Sequence, residues 1–247
     1  MNEKTHLDLF SGIGGFALAA KWNGYRTVGF CDNEPYAQAV LRKHWPEIQC
    51  HKDIREVRGE LYAGVTLITG GFPCQPFSVA GKQRGKDDNR YLWPEMLRVI
   101  REARPAWIIG ENVAGIVNLA LDTVCADLEA EGYEVEPVII PACAVDAPHR
   151  RDRVWIIARY MADTGRKGLQ RREKAGNIES SRARIQQLAQ RCPYGKRSAW
   201  LPEPNVGRLA HGIPNRVAKL RGLGNAIVPQ VAAEIIRCIN KVMEDNQ

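Results

Sequence analysis

The sequence of 247 residues lacks several features that would assign it to well-known classes of protein. It has no apolar run long enough to span a membrane, and its first residues, MNEKTH, do not form the apolar core of a signal peptide. Its seven cysteines are an odd number and none are spaced C-x-x-C, so neither a disulfide framework nor a zinc ribbon is indicated. These absences favour a cytoplasmic protein without a membrane partner.

The net charge of +7 is confined to one part of the chain. Residues 160–200 contain ten Lys or Arg and three acidic residues, which accounts for the whole excess, and the remainder is neutral. A charge run is usually only a solvated face. Because this run is long, of one sign and interrupts a regular α/β pattern, it favours contact with a polyanion.

Strands and helices are predicted to alternate along most of the chain. Short β-branched runs predict strands at residues 6–10, 25–31, 65–69, 107–110, 133–140 and 153–158. Amphipathic runs predict helices at residues 16–22, 35–44, 93–103, 119–131, 213–220 and 226–243. Repeated β-α units imply an α/β fold with a mostly parallel twisted sheet and helices on both faces.

Cys74 is predicted to lie on a loop at the carboxyl end of a buried strand, where open α/β sheets carry their chemistry. Pro73 and Pro76 stiffen the loop on either side. A free cysteine is more often packed as a small hydrophobe. The polar, Gly- and Pro-rich flanks argue against that alternative, so we interpret Cys74 as a nucleophile.

The first strand is followed by a glycine-rich turn, Gly12-x-Gly14-x-x-Ala17, which lets the backbone approach a ligand at a helix N-terminus. Glu34 follows the second predicted strand, where an acidic residue typically binds ribose hydroxyls. This pattern alone suits NAD as well as an adenosine cofactor without phosphates. An NAD dehydrogenase, however, has no need of a loop cysteine or a basic segment.

Three further motifs are candidates for the same edge of the sheet. Glu111 directly follows the strand at residues 107–110, although such a residue could simply cap the next helix. Arg151 and Arg153 would point to one side of an extended chain, where two guanidinium groups suit a planar polar ring. Residues 222–226 are predicted to open the last helix with a second close backbone approach.

Together these motifs make the sequence similar to the DNA (cytosine-5)-methyltransferase family of the prokaryotic or phage type. The motifs are residues 8–16 (DLFSGIGGF), 33–34 (NE), 53–54 (DI), 71–78 (GFPCQPFS), 111–113 (ENV), 151–153 (RDR) and 224–230 (GNAIVPQ). The resemblance is specific because order and spacing agree as well as composition. His149 replaces the usual Gln of the family, and Pro35 follows Glu34 where many members have an aromatic residue.

The resemblance implies a Rossmann-like fold that uses S-adenosyl-L-methionine, with a small target-recognition region inserted before the last motifs. The implied domains are a catalytic and cofactor-binding domain at residues 1–159, the recognition region at 160–208 and a returning segment at 209–247. It assigns catalysis to Cys74, Glu111, Arg151 and Arg153. It assigns cofactor contacts to Phe10, Ile13, Gly14, Gly15, Asn33, Glu34, Asp53, Ile54, Gly71, Pro73, Leu92, Asn225 and Ala226.

The resemblance also implies that the substrate is cytosine in double-stranded DNA. The target base would be flipped out of the duplex, because its C6 cannot otherwise meet a thiolate. DNA contacts are assigned to Gln75, Ser78, Arg166, Lys167, Arg171, Arg172, Arg182 and Arg184. We expect a monomer that needs no metal and that could work beside a separate restriction endonuclease.

Two alternatives stay open at this point. One branch of the family acts on tRNA, so the substrate could be a cytosine in RNA, although the basic segment favours DNA. The chain could instead be a DNA-binding protein without catalysis, against which the intact cysteine, glutamate and arginine positions argue.

Overall fold

A single mixed sheet of seven strands organises the chain. The computed structural model describes residues 3–74, 91–161, 186–187 and 216–245. The strands are β1 Thr5–Leu9, β2 Arg26–Cys31, β3 Cys50–His51, β4 Leu67–Gly70, β5 Trp107–Val113, β6 Tyr133–Pro141 and β7 Asp152–Tyr160. The helices are α1 Gly15–Trp22, α2 Pro35–His44, α3 Trp93–Ala103, α4 Leu121–Ala130, α5 Arg216–Asn225 and α6 Pro229–Glu244. Short 3₁₀ helices connect several of them.

The strand order across the sheet is β3-β2-β1-β4-β5-β7-β6, and only β7 runs against the strands on both of its sides. The five parallel strands therefore end at one common edge. Because β7 is antiparallel to β5, its first residues return to that edge, and Arg153 lies opposite Val113. Residues that follow the parallel strands and residues that begin β7 are thus brought together.

Helices cover both faces of the sheet, as the alternating pattern predicted. In β4, Ile68 packs in a core cluster with Met96 and Ile100 of α3. Its neighbour Leu67 points to the opposite face and packs with residues of α1 and α6. Successive side chains of a strand alternate between faces, so one buried strand supplies both cores. The predicted α/β fold class is confirmed.

The end of the chain differs from the prediction. α5 continues through Gly222 and Gly224 to Asn225, and the last helix begins at Pro229 rather than at Ala226. Proline fits the first position of a helix because it has no backbone N–H to leave unpaired. The motif at residues 222–226 therefore closes α5 instead of opening the last helix. Within the ranges described, no helix is long and apolar enough to cross a bilayer.

Candidate active site

The turn between β1 and α1 bends sharply. Phe10, Gly12 and Gly14 all have positive φ, at 54°, 53° and 86°. A Cβ on Gly14 would lie 2.7 Å from the Trp45 ring, so the turn needs glycine there for space as well as for conformation. The result is a glycine cradle at the N-terminus of α1.

Asp32, which the sequence analysis did not single out, holds this cradle in place. One of its carboxylate oxygens accepts a hydrogen bond from the Gly12 N–H at 2.7 Å, and the other accepts from the Glu34 N–H at 2.9 Å. Asp32 thereby fixes the turn after β1 relative to the turn after β2. Its position directly after β2 and two residues before Glu34 was the available signal.

Beneath the cradle, a chain of buried polar groups crosses three strands. The Thr69 hydroxyl donates to a carboxyl oxygen of Asp8 at 2.8 Å, and His6 Nε2 lies 2.8 Å from that hydroxyl. His6 Nδ1 lies 3.0 Å from the Thr27 hydroxyl. Since Thr69 donates to Asp8, it accepts from His6, whose other ring nitrogen then accepts from Thr27. Burial lowers the pKa of His6 to about 3 and raises the pKa of Asp8.

The remaining cofactor candidates follow the parallel strands. Glu34 immediately precedes α2 and is half-buried, while Asn33 is exposed. Asp53 follows β3, and its carboxylate accepts from the Arg55 N–H at 2.9 Å. Ile54 is buried, Leu92 immediately precedes α3, and Gly71 and Pro73 follow β4. A glycine cradle flanked by two carboxylates fits the hydroxyl and amino groups of an adenosine cofactor such as S-adenosyl-L-methionine.

Residues 222–228, here called the closing segment, pack directly on the cradle. A Cβ on Gly15 would lie 2.7 Å from Cγ1 of Ile227. A Cβ on Gly222 would lie 3.3 Å from the Tyr36 ring and 3.5 Å from Ile13. Ile13 and Gly15 are therefore in contact with this segment, whereas the side chain of Asn225 is exposed.

Cys74 lies on the loop after β4 as a free, half-buried thiol. It packs at the margin of the core, and its backbone forms an isolated antiparallel β-bridge with Tyr91, which comes just before α3. Burial raises the pKa of the Cys74 thiol, and the negative charge of Glu111 raises it further. The loop is anchored by buried Phe72, whose ring centroid lies 5.0 Å from that of Trp93.

Glu111 is buried within β5 and faces this loop. Its carboxylate forms an ion pair with Arg153 Nε at 2.8 Å, and a Cβ on Gly71 would lie 3.2 Å from its other oxygen. Burial raises the pKa of Glu111, while the charges of Arg153 and Arg151 oppose the rise. A helix-capping role is excluded, because Glu111 lies inside a strand and its partner is an arginine.

Arg151 lies within electrostatic reach of Arg153 and Glu111, but not in the extended conformation that was predicted. Its φ of 38° is left-handed, so the chain is not extended there and the same-side argument is wrong. Instead, its Nη2 donates to the backbone carbonyls of Gly224 at 2.6 Å and Ala226 at 2.8 Å. The side chain of Arg151 thus contacts residues 224 and 226, whereas that of Arg153 pairs with Glu111.

The predicted DNA contacts at Gln75, Ser78, Arg166, Lys167, Arg171, Arg172, Arg182 and Arg184 lie outside the described residues. Most of the predicted recognition region lies outside them too, while its first residue, Tyr160, is the last of β7. In the part of the chain that the structure describes, no group of three or more His, Cys, Asp or Glu is arranged to hold a metal.

One edge of an α/β sheet carries both halves of the site. One half is a glycine cradle with carboxylates, and the other is a thiol beside a buried Glu–Arg pair. This arrangement is of the Rossmann-like, S-adenosylmethionine-dependent methyltransferase type. The family model described as C-5 cytosine-specific DNA methylase matches residues 5–191. The chain belongs to this family.

The chain is similar to Type II methyltransferase M.HgiCII of Herpetosiphon aurantiacus, with 34% identity over 163 residues, covering 64% of this chain and 37% of the relative. It is also similar to Type II methyltransferase M.NgoMIV of Neisseria gonorrhoeae, with 43% identity over 115 residues, covering 46% of this chain and 37% of the relative. The solved structure of S. pombe Dnmt2 methyltransferase matches with a TM-score of 0.56 and 25% identity, covering 64% of this chain and 51% of that one. The matches thus span well under two thirds of these curated relatives.

Proposed function

We propose that this protein transfers a methyl group from S-adenosyl-L-methionine to C5 of cytosine in DNA. The observation that carries the proposal is the buried Glu111–Arg153 pair, which faces the loop of a half-buried free thiol at the same edge as the glycine cradle. That combination supplies a nucleophile, a proton-holding carboxyl and a ring-orienting cation within one site. Family membership supports the same reaction.

Cys74 would act as the covalent nucleophile. Its thiolate adds to C6 of the cytosine ring, which makes C5 electron-rich enough to take up a methyl group. When bound, S-adenosyl-L-methionine supplies that methyl group and leaves as the neutral thioether. Loss of the C5 proton to a base then reforms the C5–C6 double bond and expels the Cys74 thiolate, so the enzyme returns to its starting state.

Glu111 would stabilise the charge that develops on the ring. When sulfur adds at C6, negative charge moves toward N3, and a carboxyl that shares a proton with N3 lowers the barrier. Burial raises the pKa of Glu111, which favours the protonated form of the carboxyl. Arg153, which pairs with the carboxyl, would fix its orientation and bind the adjacent ring oxygen O2.

The cofactor would lie along the edge formed by β1, β2, β3 and β4. Glu34 would accept hydrogen bonds from the ribose hydroxyls, and Asp53 from the adenine amino group. Phe10, Ile13, Gly14, Gly15, Asn33, Ile54, Gly71, Pro73, Leu92, Asn225 and Ala226 stay predicted contacts. Because a base inside the duplex cannot present its C6 to Cys74, the target cytosine would be flipped out of the stack.

The basic residues between 160 and 208 would bind the DNA. Several phosphate contacts from Lys and Arg make binding strong and sensitive to salt, whereas a few side chains read base edges. Gln75 and Ser78 would contact the DNA near the extruded base. We further propose a monomer, since one chain contains the nucleophile, the carboxyl and the cradle, and a restriction endonuclease would act separately on the same sequence.

The test is a methyl-transfer assay with radiolabelled cofactor on duplex DNA and on tRNA. We expect label at C5 of cytosine in DNA, no transfer by Cys74→Ser, and retained cofactor binding in that variant. DNA with 5-fluorocytosine at the target should give a covalent complex, because fluorine blocks the final elimination. Transfer to tRNA alone would favour the RNA alternative, and transfer to neither nucleic acid would favour a binding protein without catalysis.

A further inference from the structure

Arg151 caps the end of α5. The last carbonyls of a helix have no N–H partner within the helix, and a cation is favoured near them. One guanidinium nitrogen of Arg151 donates to the carbonyls of both Gly224 and Ala226. The backbone of Ala226 is also tied back to the Gly222 carbonyl at 3.1 Å. The helix end is therefore held by an arginine more than seventy residues earlier in the chain.

The capped residues belong to the closing segment, which packs on the cofactor cradle. Ile227 lies against Gly15, and Gly222 lies against Tyr36 and Ile13. Interiors are close-packed, so releasing the carbonyls at residues 224 and 226 would let Ile227 move away from Gly15. The hydrogen bonds of Arg151 thus act on the cradle through the closing segment.

The backbone of Arg151 shows that this orientation is imposed. A φ of 38° is unusual for a residue with a side chain and costs free energy. Burial and the neighbouring charge of Arg153 both lower the pKa of Arg151, while the charge of Glu111 opposes the shift. Two short hydrogen bonds to carbonyl oxygens offset these costs.

We infer that Arg151 is a positioning residue for the cofactor, which holds the closing segment over the glycine cradle, whereas Arg153 serves the base. This inference rests on the proposed use of S-adenosyl-L-methionine. It assigns the two arginines of one motif to opposite halves of the site. Arg151 is two residues before Arg153, which pairs with Glu111. It therefore also links the part of the site assigned to the base with the part assigned to the cofactor.

The test compares Arg151→Ala with Arg153→Ala, and uses Arg150→Ala as the matched control because Arg150 is adjacent and exposed. We expect Arg151→Ala to weaken S-adenosyl-L-methionine binding in calorimetry by roughly tenfold, as for the loss of charge-assisted hydrogen bonds. Its KM for the cofactor should rise similarly, while kcat at saturating cofactor stays close to that of wild type. Arg153→Ala should lower kcat and keep the cofactor Kd, and Arg150→Ala should change neither.

Amide hydrogen exchange gives a second readout. Arg151→Ala should speed exchange at residues 222–228, and Arg151→Lys, which keeps a donor, should restore part of the protection and of the affinity. Should Arg151→Ala not fold, Arg151→Met keeps the aliphatic stem and is expected to behave in the same way.

The outcomes separate the inference from the proposed function. A wild-type chain that binds no S-adenosyl-L-methionine overturns the proposed function, and this inference with it. If the wild type binds S-adenosyl-L-methionine and Arg151→Ala binds it with equal affinity, the inference alone is overturned. A loss of kcat in Arg151→Ala at an unchanged cofactor KM also overturns it, because that pattern would place Arg151 at the base.

Discussion

The side-chain amide of Asn112 donates to the backbone carbonyl of Phe72 at 2.9 Å, in the buried space between the ends of β5 and β4. Asn112 is only 5% exposed, and its side-chain oxygen Oδ1 accepts a hydrogen bond from the Val113 N–H at 3.0 Å. Asn112, the residue after Glu111, thus contacts Phe72, which lies two positions before Cys74. This hydrogen bond therefore holds the strand that carries the Glu111 carboxyl against the loop that carries the Cys74 thiol.

Asn112→Ala should therefore slow covalent addition by Cys74 while leaving cofactor affinity unchanged. Removing one partner leaves a buried carbonyl unsatisfied, so we expect the free energy of unfolding to fall by about 1–3 kcal/mol. Urea unfolding measures the stability loss, and the rate of trapping on 5-fluorocytosine DNA measures the addition. Asn118→Ala, at an exposed position of the following 3₁₀ helix, is the control. An unchanged trapping rate in Asn112→Ala would show that the Phe72 carbonyl does not govern the thiol.

The reactivity of Cys74 toward iodoacetamide should rise with pH up to an apparent pKa above that of an exposed thiol, because burial raises the pKa of Cys74. Glu111 adds to this rise, so Glu111→Gln should lower the apparent pKa and increase alkylation at a given pH. Mass spectrometry of the peptide that contains Cys74 follows the reaction. Glu95→Gln, which removes a carboxylate of α3 paired with Arg98, is the control. A higher apparent pKa in Glu111→Gln would contradict the assigned cause.

The sequence was sufficient for the fold class and for the edge of the sheet that carries the candidate site. Strand-end positions such as those of Cys74 and Glu111 follow from the alternation of β and α, because parallel strands end together. The orientation of Arg151 could not be read in this way, because it depends on a left-handed φ and on carbonyls far along the chain. Asp32 was missed for a related reason, since its partners are backbone N–H groups, and only its position after β2 and before Glu34 pointed to it.

Asp32→Ala should destabilise the protein and weaken cofactor binding together, since the Gly12 and Glu34 N–H groups both lose an acceptor. We expect a loss of roughly 1.5–3 kcal/mol in the free energy of unfolding for these charge-assisted bonds. Asp32→Asn keeps one acceptor oxygen and should lose less. By contrast, Glu34→Ala should weaken cofactor binding with little change in stability. Thermal unfolding and calorimetry distinguish the two patterns, and equal affinities in Glu34→Ala and wild type would overturn its assignment.

The buried imidazole of His6 should make stability fall in acid. Its pKa is lowered to about 3 in the folded state from 6.5, so the unfolded chain binds more protons between these values. Its contribution is complete above pH 6.5 and is lost as pH falls toward 3, by at most roughly 1.4 kcal/mol per pH unit. Asp8 acts in the opposite direction, because burial and the negative charge of Asp32 both raise its pKa.

The effect of His6 is isolated by comparing wild type with His6→Gln, which keeps a donor for Thr69 but cannot titrate. The difference in their free energies of unfolding, measured by urea titration, should change between pH 6.5 and pH 3 and be constant above pH 7. A difference that stays constant throughout would mean that His6 titrates normally in the folded protein.

The reversal of β7 has a consequence for how this chain can vary. β7 leaves the site at Arg153 and ends at the far side of the sheet, where the Tyr160 N–H bonds to Ala106 and the Met161 N–H to Gly132, both at 2.9 Å. Later in the chain comes α5, whose end is held at the site by Arg151. The end of β7 and the capped end of α5 thus lie about one strand length apart, since nine residues of β7 span roughly 30 Å. The entropic cost of closing a loop between two points rises only with the logarithm of its length. The sequence between β7 and α5 can therefore be replaced, lengthened or shortened while the sheet stays unchanged.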